Sequence, residues 1–321
     1  MTKEDLRIVF MGTPEFAVET LKALVESQYN VVAVVTQPDK PVGRHGSVLQ
    51  PSAVKQYALE QGLPVLQPEK MKDPGFVEQL RSYQANLQVV VAFRMLPEVV
   101  WAMPEYGTFN VHAALLPQYR GAAPINWAVI NGETQTGVTT FFLDHDIDTG
   151  RMIMQLPFAI PDEADVEYVY DGLMHLGADI CLKTLERIVE ADGHPETTAQ
   201  DALPATLKPA PKIFKETCEI NWQQTVKQIH DFVRGLSPYP GAWTTLVGPD
   251  GRETMLKLFR TTKTARPAIG AGRLMADQKC LYISADDCML QINELQLAGK
   301  KRMAAEAFLN GMKDIENYFV R

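Results

Sequence analysis

LRIVFMGTPEFAVETLKALVES, residues 6–27, starts with the pattern of a strand and ends with that of a helix. Its first half is a short run of apolar, largely β-favouring side chains. After a Gly-Thr-Pro turn the apolar residues recur at helical spacing. Thr13 is placed to cap this helix, with Pro14 at its first position, where a missing N–H costs nothing. The alternation repeats downstream. Residues 29–36, 63–68 and 87–93 read as strands, and residues 52–61 and 74–83 as helices. The run 87–93, LQVVVAF, is almost continuously apolar, as a strand buried on both faces must be. A helix opening at Pro97, others over 121–133 and 166–190, and the strands TGVTTFFL and MIMQLPFAIP continue the series. Such alternation predicts an α/β domain, a doubly wound, Rossmann-like sheet. With no G-x-G-x-x-G and no Walker lysine, a dinucleotide cofactor is not expected.

The pattern changes beyond residue 191. Gly, Pro, Thr and Asp dominate ADGHPETTAQDALPA, residues 191–205, which reads as a linker. From Lys208 onward a helix over 225–235 is followed by short strands (TTLVG, TMLKLFRTTKT, AGRLMA, KCLYISA, MLQINELQLAG) broken by glycines and polar turns. Those strands predict a small closed OB-like β-barrel. The expected division is 1–191, a linker at 192–207, and 208–321. A chain of 321 residues suits two domains. Between Pro38 and Pro51, by contrast, a long Gly- and Pro-rich loop interrupts the first domain, and loops of that length are often functional.

Composition narrows the function classes. No apolar run reaches the roughly 18–20 residues of a membrane span, and MTKEDLRIVF lacks a signal-peptide core. A soluble, cytoplasmic protein is expected. Cys181, Cys218, Cys280 and Cys288 show no metal-ligand or disulfide spacing and read as buried thiols. The net charge of −8 hides an asymmetry: residues 208–321 hold 17 Lys and Arg against 12 Asp and Glu, giving +5, and residues 1–207 carry −13. A basic C-terminal part points to a polyanionic partner.

The chemistry-bearing stretch is FNVHAALLPQYRG, residues 109–121. Asn110 and His112 are two apart, so on a strand their side chains emerge on one side, and Pro117 and Gly121 turn the chain into a loop. Strand ends of this kind carry the chemistry of open α/β sheets, although such a pair also fits edge residues satisfied by backbone. FLDHDIDTG, residues 142–150, adds Asp148 from a later loop. An amide, an imidazole and a carboxylate suit attack of an amine on a carbonyl carbon. Asn110 and protonated His112 can stabilise the oxyanion, His112 can move protons near neutrality, and Asp148 can raise the basicity of His112 and orient it. Asp144, His145 and Asp146 with Asp148 could, on residue type alone, suggest a metal site.

In these motifs the chain resembles the methionyl-tRNA formyltransferases, within the wider family that takes a formyl group from 10-formyltetrahydrofolate. Their signature joins Asn-x-His, His-x-Ser-Leu-Leu-Pro-x-x-x-Gly and a later Asp-Thr-Gly. Asn110, His112, Leu115, Leu116, Pro117, Gly121 and Asp148 match it, whereas Ala114 stands where the family usually has Ser. That excludes a seryl-formyl intermediate there and is consistent with direct transfer. The resemblance implies catalytic roles for Asn110, His112 and Asp148. It implies folate binding by Phe93, Arg94, Met95, Leu96, Ala114, Leu115, Leu116, Pro117 and Asp144; core packing is the alternative for Met95 and Leu96. It also implies tRNA binding by Arg44 in the PDKPVGR loop, to which Lys40 adds positive charge; Lys300 and Lys301 in AGKKRM, on the basic barrel, fit either tRNA binding or a solvated turn. The implied reaction formylates the α-amino group of methionyl-initiator tRNA for translation initiation. 10-Formyltetrahydrofolate would be a substrate, with the loop at 144–148 set around the pterin without metal, no tightly bound cofactor and a monomeric enzyme. The alternatives are a relative that formylates a small amine, such as glycinamide ribonucleotide or an amino sugar, and a catalytically silent tRNA-binding protein.

Overall fold

The computed structural model describes residues 1–42, 48–202, 206–312 and 314–321. Its contacts divide the chain into two compact units. The first comprises Met1–Gly121, Thr136–Ala159 and Tyr170–Pro209, and the second Ala122–Gln135, Ile160–Val169 and Ala210–Arg321.

In the first unit the strands are β1 (Arg7–Gly12), β2 (Asn30–Val35), β3 (Lys40–Val42), β4 (Val48–Gln50), β5 (Val65–Leu66), β6 (Leu87–Val91), β7 (Thr108–His112), β8 (Gln135–Phe142) and β9 (Met152–Ala159). The helices are α1 (Glu15–Glu26), α2 (Ala53–Glu60), α3 (Pro74–Ser82) and α4 (Glu98–Trp101). Seven strands form one sheet in the order β5-β2-β1-β6-β7-β8-β9. β1 pairs in parallel with both β2 and β6, β6 with β7 likewise, and β8 returns antiparallel to β7. The chain therefore winds outward in both directions from β1, as the alternating sequence pattern predicts. All five residues of β6 are buried, and α1 lays Phe16, Ala17, Leu21 and Leu24 into the core.

Two local expectations change. Pro14, not Thr13, occupies the N-cap of α1, and Thr13 Oγ1 is buried without a hydrogen-bond partner. A true cap appears at α2, where Ser52 Oγ accepts the Lys55 N–H at 3.0 Å. The stretch read as a long loop also contains a hairpin, with Lys40, Pro41 and Val42 of β3 opposite Gln50, Leu49 and Val48 of β4. Arg44, expected to meet tRNA, lies outside the described residues.

The second unit is built around an antiparallel sheet of β10 (Ala242–Val247), β11 (Glu253–Pro267), β12 (Leu274–Asp277), β13 (Cys280–Ser284), β14 (Cys288–Leu297), β15 (Met303–Ala304) and β16 (Phe319–Val320). Its order is β12-β13-β14-β11-β10-β16, with β15 on β14. Register shifts along the β11–β14 pair let the long strand β11 bend. The sheet curls until its ends meet: Arg273 bridges Phe319, and the Val320 N–H donates to the Gly272 carbonyl at 2.8 Å. This is the OB-like barrel. Its interior is filled by Leu256, Leu258, Leu281, Ile283, Leu290 and Ile292 together with Ile229 and Val233 of α7 (Val226–Gly235).

The sequence reading assigns residues 121–133 and 160–169 to the N-terminal domain, whereas Ala122–Gln135 and Ile160–Val169 pack with the barrel. The contacts explain this. Helix α5 (Pro124–Ile130) abuts α7 so closely that a Cβ on Gly235 would lie 2.6 Å from Ile130 Cγ1. Arg234 donates to the Ala164 carbonyl at 2.7 Å, and Lys263 pairs with Asp162 at 2.5 Å. Helix α6 (Val166–Glu190) takes the predicted span. All four cysteines are free thiols; Cys181 and Cys218 are buried, whereas Cys280 and Cys288 are only half-buried. Among the described residues no helix is long and apolar enough to cross a membrane.

Candidate active site

β7 alternates as its sequence requires. Phe109 and Val111 fill the core on one side, while Asn110 and His112 emerge together on the other. His112 is 6% exposed, so its ring nitrogens must be satisfied within the protein or by a ligand. Nε2 lies 2.9 Å from the Tyr119 carbonyl oxygen. A carbonyl only accepts, so Nε2 carries the proton, and in the neutral ring Nδ1 is left with a free lone pair. Nδ1 faces Asp148, whose Oδ2 is 3.9 Å away. That is too far for a direct hydrogen bond and close enough for an intervening water or amine. Asp148 Oδ2 is itself held by the Gly121 N–H at 2.9 Å.

Asn110 Oδ1 is buried without a hydrogen-bond partner. Leaving such a group unpaired costs about 1–3 kcal/mol. Placed beside a histidine with a free lone pair at a sheet's carboxyl edge, it has the character of a group awaiting a ligand.

Tertiary contacts, rather than the motif itself, hold the loops in place. Thr139 Oγ1 on β8 accepts the Leu116 N–H at 3.1 Å and donates to the Ala114 carbonyl at 2.6 Å, and Gln155 Nε2 reaches the Leu116 carbonyl at 2.8 Å. The Tyr119 N–H donates to the Lys208 carbonyl at 2.7 Å, which fixes the carbonyl that receives His112. In the second loop Asp148 adopts φ 55, and Gly150 packs so tightly that a Cβ would fall 1.7 Å from the Phe142 carbonyl oxygen. Asp144 Oδ1 accepts the Thr149 hydroxyl at 2.8 Å, closing that loop on itself. Gln200 Nε2 donates to the Asp148 and Gly150 carbonyls at 2.9 and 2.8 Å. The sequence reading missed Tyr119, Thr139, Gln155 and Gln200, since none bears a signature and Gln200 lies in the supposed linker.

The structure thus brings Asn110, His112 and Asp148 together. The residues expected to bind folate are more scattered in character. Phe93 is half-buried, Met95 is 71% exposed and Leu96 belongs to the core cluster with Val9, Met11 and Val90. The Arg94 guanidinium caps the carbonyls of Pro68 and Glu69. Ala114 is fully buried, Leu116 packs with Phe141 and Met152, Pro117 is buried, Leu115 is half-buried and Asp144 is exposed. Lys40, on β3, is exposed. At the base of that hairpin Lys55 and Gln67 hydrogen-bond Asp39 and hold its carboxyl below the usual range. Lys300 and Lys301 are exposed at the turn after β14. Among the described residues no three His, Cys, Asp or Glu side chains converge as metal ligands.

Two family models match the chain. The one described as formyl transferase covers residues 6–185, and the one described as formyl transferase, C-terminal domain, covers residues 212–313. The chain is 60% identical to a methionyl-tRNA formyltransferase of Parabacteroides distasonis over 100% of both chains. It is 58% identical to one of Phocaeicola vulgatus over 99% of each. Among solved structures, it is similar to an N-formyltransferase from Helicobacter canadensis in complex with folinic acid and dTDP-3-aminofucose, with TM-score 0.63, 19% identity and coverage of 93% of this chain and 100% of that one. HypX from Aquifex aeolicus in complex with tetrahydrofolic acid gives TM-score 0.62 at 18% identity, over 95% of this chain and 47% of that one. At such identities the structural likeness speaks for the fold alone.

Proposed function

The chain belongs to the methionyl-tRNA formyltransferase family, and from that premise we propose how its site transfers a formyl group to the α-amino group of methionyl-initiator tRNA. The donor is 10-formyltetrahydrofolate, used as a substrate and released as tetrahydrofolate. The new bond joins the methionyl nitrogen to the formyl carbon, and the bond from that carbon to the folate nitrogen breaks.

The Asn110 carboxamide beside His112, with its buried Oδ1 left without a hydrogen-bond partner, carries this reading. Its N–H donors suit the oxyanion of the tetrahedral intermediate, a contact typically worth about 3 kcal/mol of barrier. Its Oδ1 suits an N–H of the attacking amine. His112 Nδ1, left free by the bond from Nε2 to Tyr119, takes the proton the amine must lose and returns it to the departing folate nitrogen. Asp148 stabilises the imidazolium across the 3.9 Å gap and orders a water or amine between them. Phe93, Met95, Leu115 and Asp144 are assigned to the folate side; Lys40, Arg44, Lys300 and Lys301 to tRNA. The enzyme acts as a monomer in the cytoplasm.

The test offers labelled 10-formyltetrahydrofolate to the protein with methionyl-initiator tRNA and, in parallel, glycinamide ribonucleotide. Label on the tRNA alone is expected. Label on the small amine alone overturns the tRNA assignment, and transfer to neither overturns the proposed chemistry.

A further inference from the structure

Gln200 lies well beyond the signature residues, yet it is 3% exposed and uses every hydrogen-bonding position of its carboxamide. Nε2 donates to the carbonyls of Asp148 and Gly150, at 2.9 and 2.8 Å. Oε1 accepts from Arg120 Nε at 3.0 Å and Nη2 at 2.7 Å. Its two ends cannot exchange, because carbonyls only accept and a guanidinium only donates. The amide therefore has one orientation.

That orientation ties the two active-site loops to each other. Arg120 immediately precedes Gly121, whose N–H holds Asp148 Oδ2 at 2.9 Å. One carboxamide thus fixes the backbone behind Asp148 and, through Arg120, the loop that grips the carboxylate from the front. The need for a clamp is local. Asp148 sits at φ 55, in the left-handed region that non-glycine residues adopt uncommonly and that local hydrogen bonds help to hold. The same stretch of chain secures the histidine side as well: the Lys208 carbonyl accepts the Tyr119 N–H at 2.7 Å, and the Thr206 carbonyl accepts from Gln118 at 2.7 Å.

We propose that Gln200 is a positioning residue for formyl transfer, acting through Asp148 with Arg120 as its partner. It sets the separation between carboxylate and imidazole, and it rests on the role given above to Asp148. A nominal linker segment then completes the active site.

The experiment compares Gln200→Ala, Gln200→Glu and Arg120→Lys, each alone and combined with Asp148→Ala, in formyl transfer to methionyl-initiator tRNA. Gln200→Glu keeps the shape but loses both donors to the carbonyls. Arg120→Lys keeps the charge but not the paired N–H groups, and serves if the Gln200 variants do not fold. Each single change is expected to lower kcat about tenfold, with KM for both substrates within about twofold and a displaced pH–rate profile. In the Asp148→Ala background the same changes are expected to cost nothing further. Full additivity with Asp148→Ala, or unchanged kcat and pH profile in folded single variants, overturns the proposal. An Asp148→Ala protein as active as the wild type removes the parent reading instead, and the same set of proteins reveals it.

Discussion

In the proposed mechanism His112 is the residue on which the chemistry turns, because its two ring nitrogens are differentiated. Nε2 is committed to the Tyr119 carbonyl and Nδ1 is open toward Asp148. His112→Ala is expected to slow the chemical step by about 100-fold or more while circular dichroism shows an intact fold. Gly150 offers a structural counterpart. A Cβ there would lie 1.7 Å from the Phe142 carbonyl oxygen, so Gly150→Ala must displace the backbone next to Asp148. It should destabilise by about 1–3 kcal/mol, read from urea unfolding, and lower the transfer rate as well. Asn110, His112 and Asp148 were legible in the sequence because their spacing and turn residues are local signals. Tyr119, Thr139, Gln155 and Gln200 were not. Each contributes through a hydrogen bond formed only after distant segments meet, and nothing in a single glutamine announces that.

At the scale of elements, periodicity carried most of the information. The strand–turn–helix start at residues 6–27 became β1 and α1, and α6 took its expected span. The error at Thr13 is instructive, since a threonine before a proline has the composition of a cap but its hydroxyl ends buried and unpaired. Thr13→Val should therefore be neutral or stabilising, whereas Ser52→Ala should cost about 1 kcal/mol by removing a true cap. Parallel urea titrations check the pair, and a Thr13→Val loss as large as that of Ser52→Ala would contradict the assignment. The β3–β4 hairpin escaped sequence reading because its strands are three residues each in a Pro- and Gly-rich stretch. Helix α5 was foreseen as a helix but not its neighbours, since an apolar face specifies burial without naming what it will be buried against.

At the scale of the whole molecule the second unit contains a buried polar cluster that the sequence could not have disclosed. His230 is 3% exposed, accepts or donates at Thr261 Oγ1 across 2.9 Å, and faces Glu163, Lys263, Asp231 and Arg234. Burial holds its pKa below the ordinary histidine value, with Glu163 opposing that shift. In the unfolded chain His230 takes up a proton near its ordinary value of about 6.5, whereas the folded protein binds it only at lower pH. The stabilising effect is fully present above about pH 6.5 and is lost as pH falls toward the folded value. Urea unfolding should show stability rising from about pH 5 to pH 7, with a slope reduced in His230→Gln. An identical slope in the variant would contradict it. The opposite net charges of the two parts of the sequence, in contrast, are read directly from it.

In the proposed reaction the site at the end of β7 moves formyl to the methionyl amine with His112 carrying the proton. The most direct measurement is the single-turnover rate of label transfer from 10-formyltetrahydrofolate to methionyl-initiator tRNA, for the wild type and a folded His112→Ala variant with tRNA saturating. The predicted result is rapid label on the wild-type tRNA product and a chemical step slowed about 100-fold or more in the variant. Equal rates in the two proteins would remove His112 from the proton transfer.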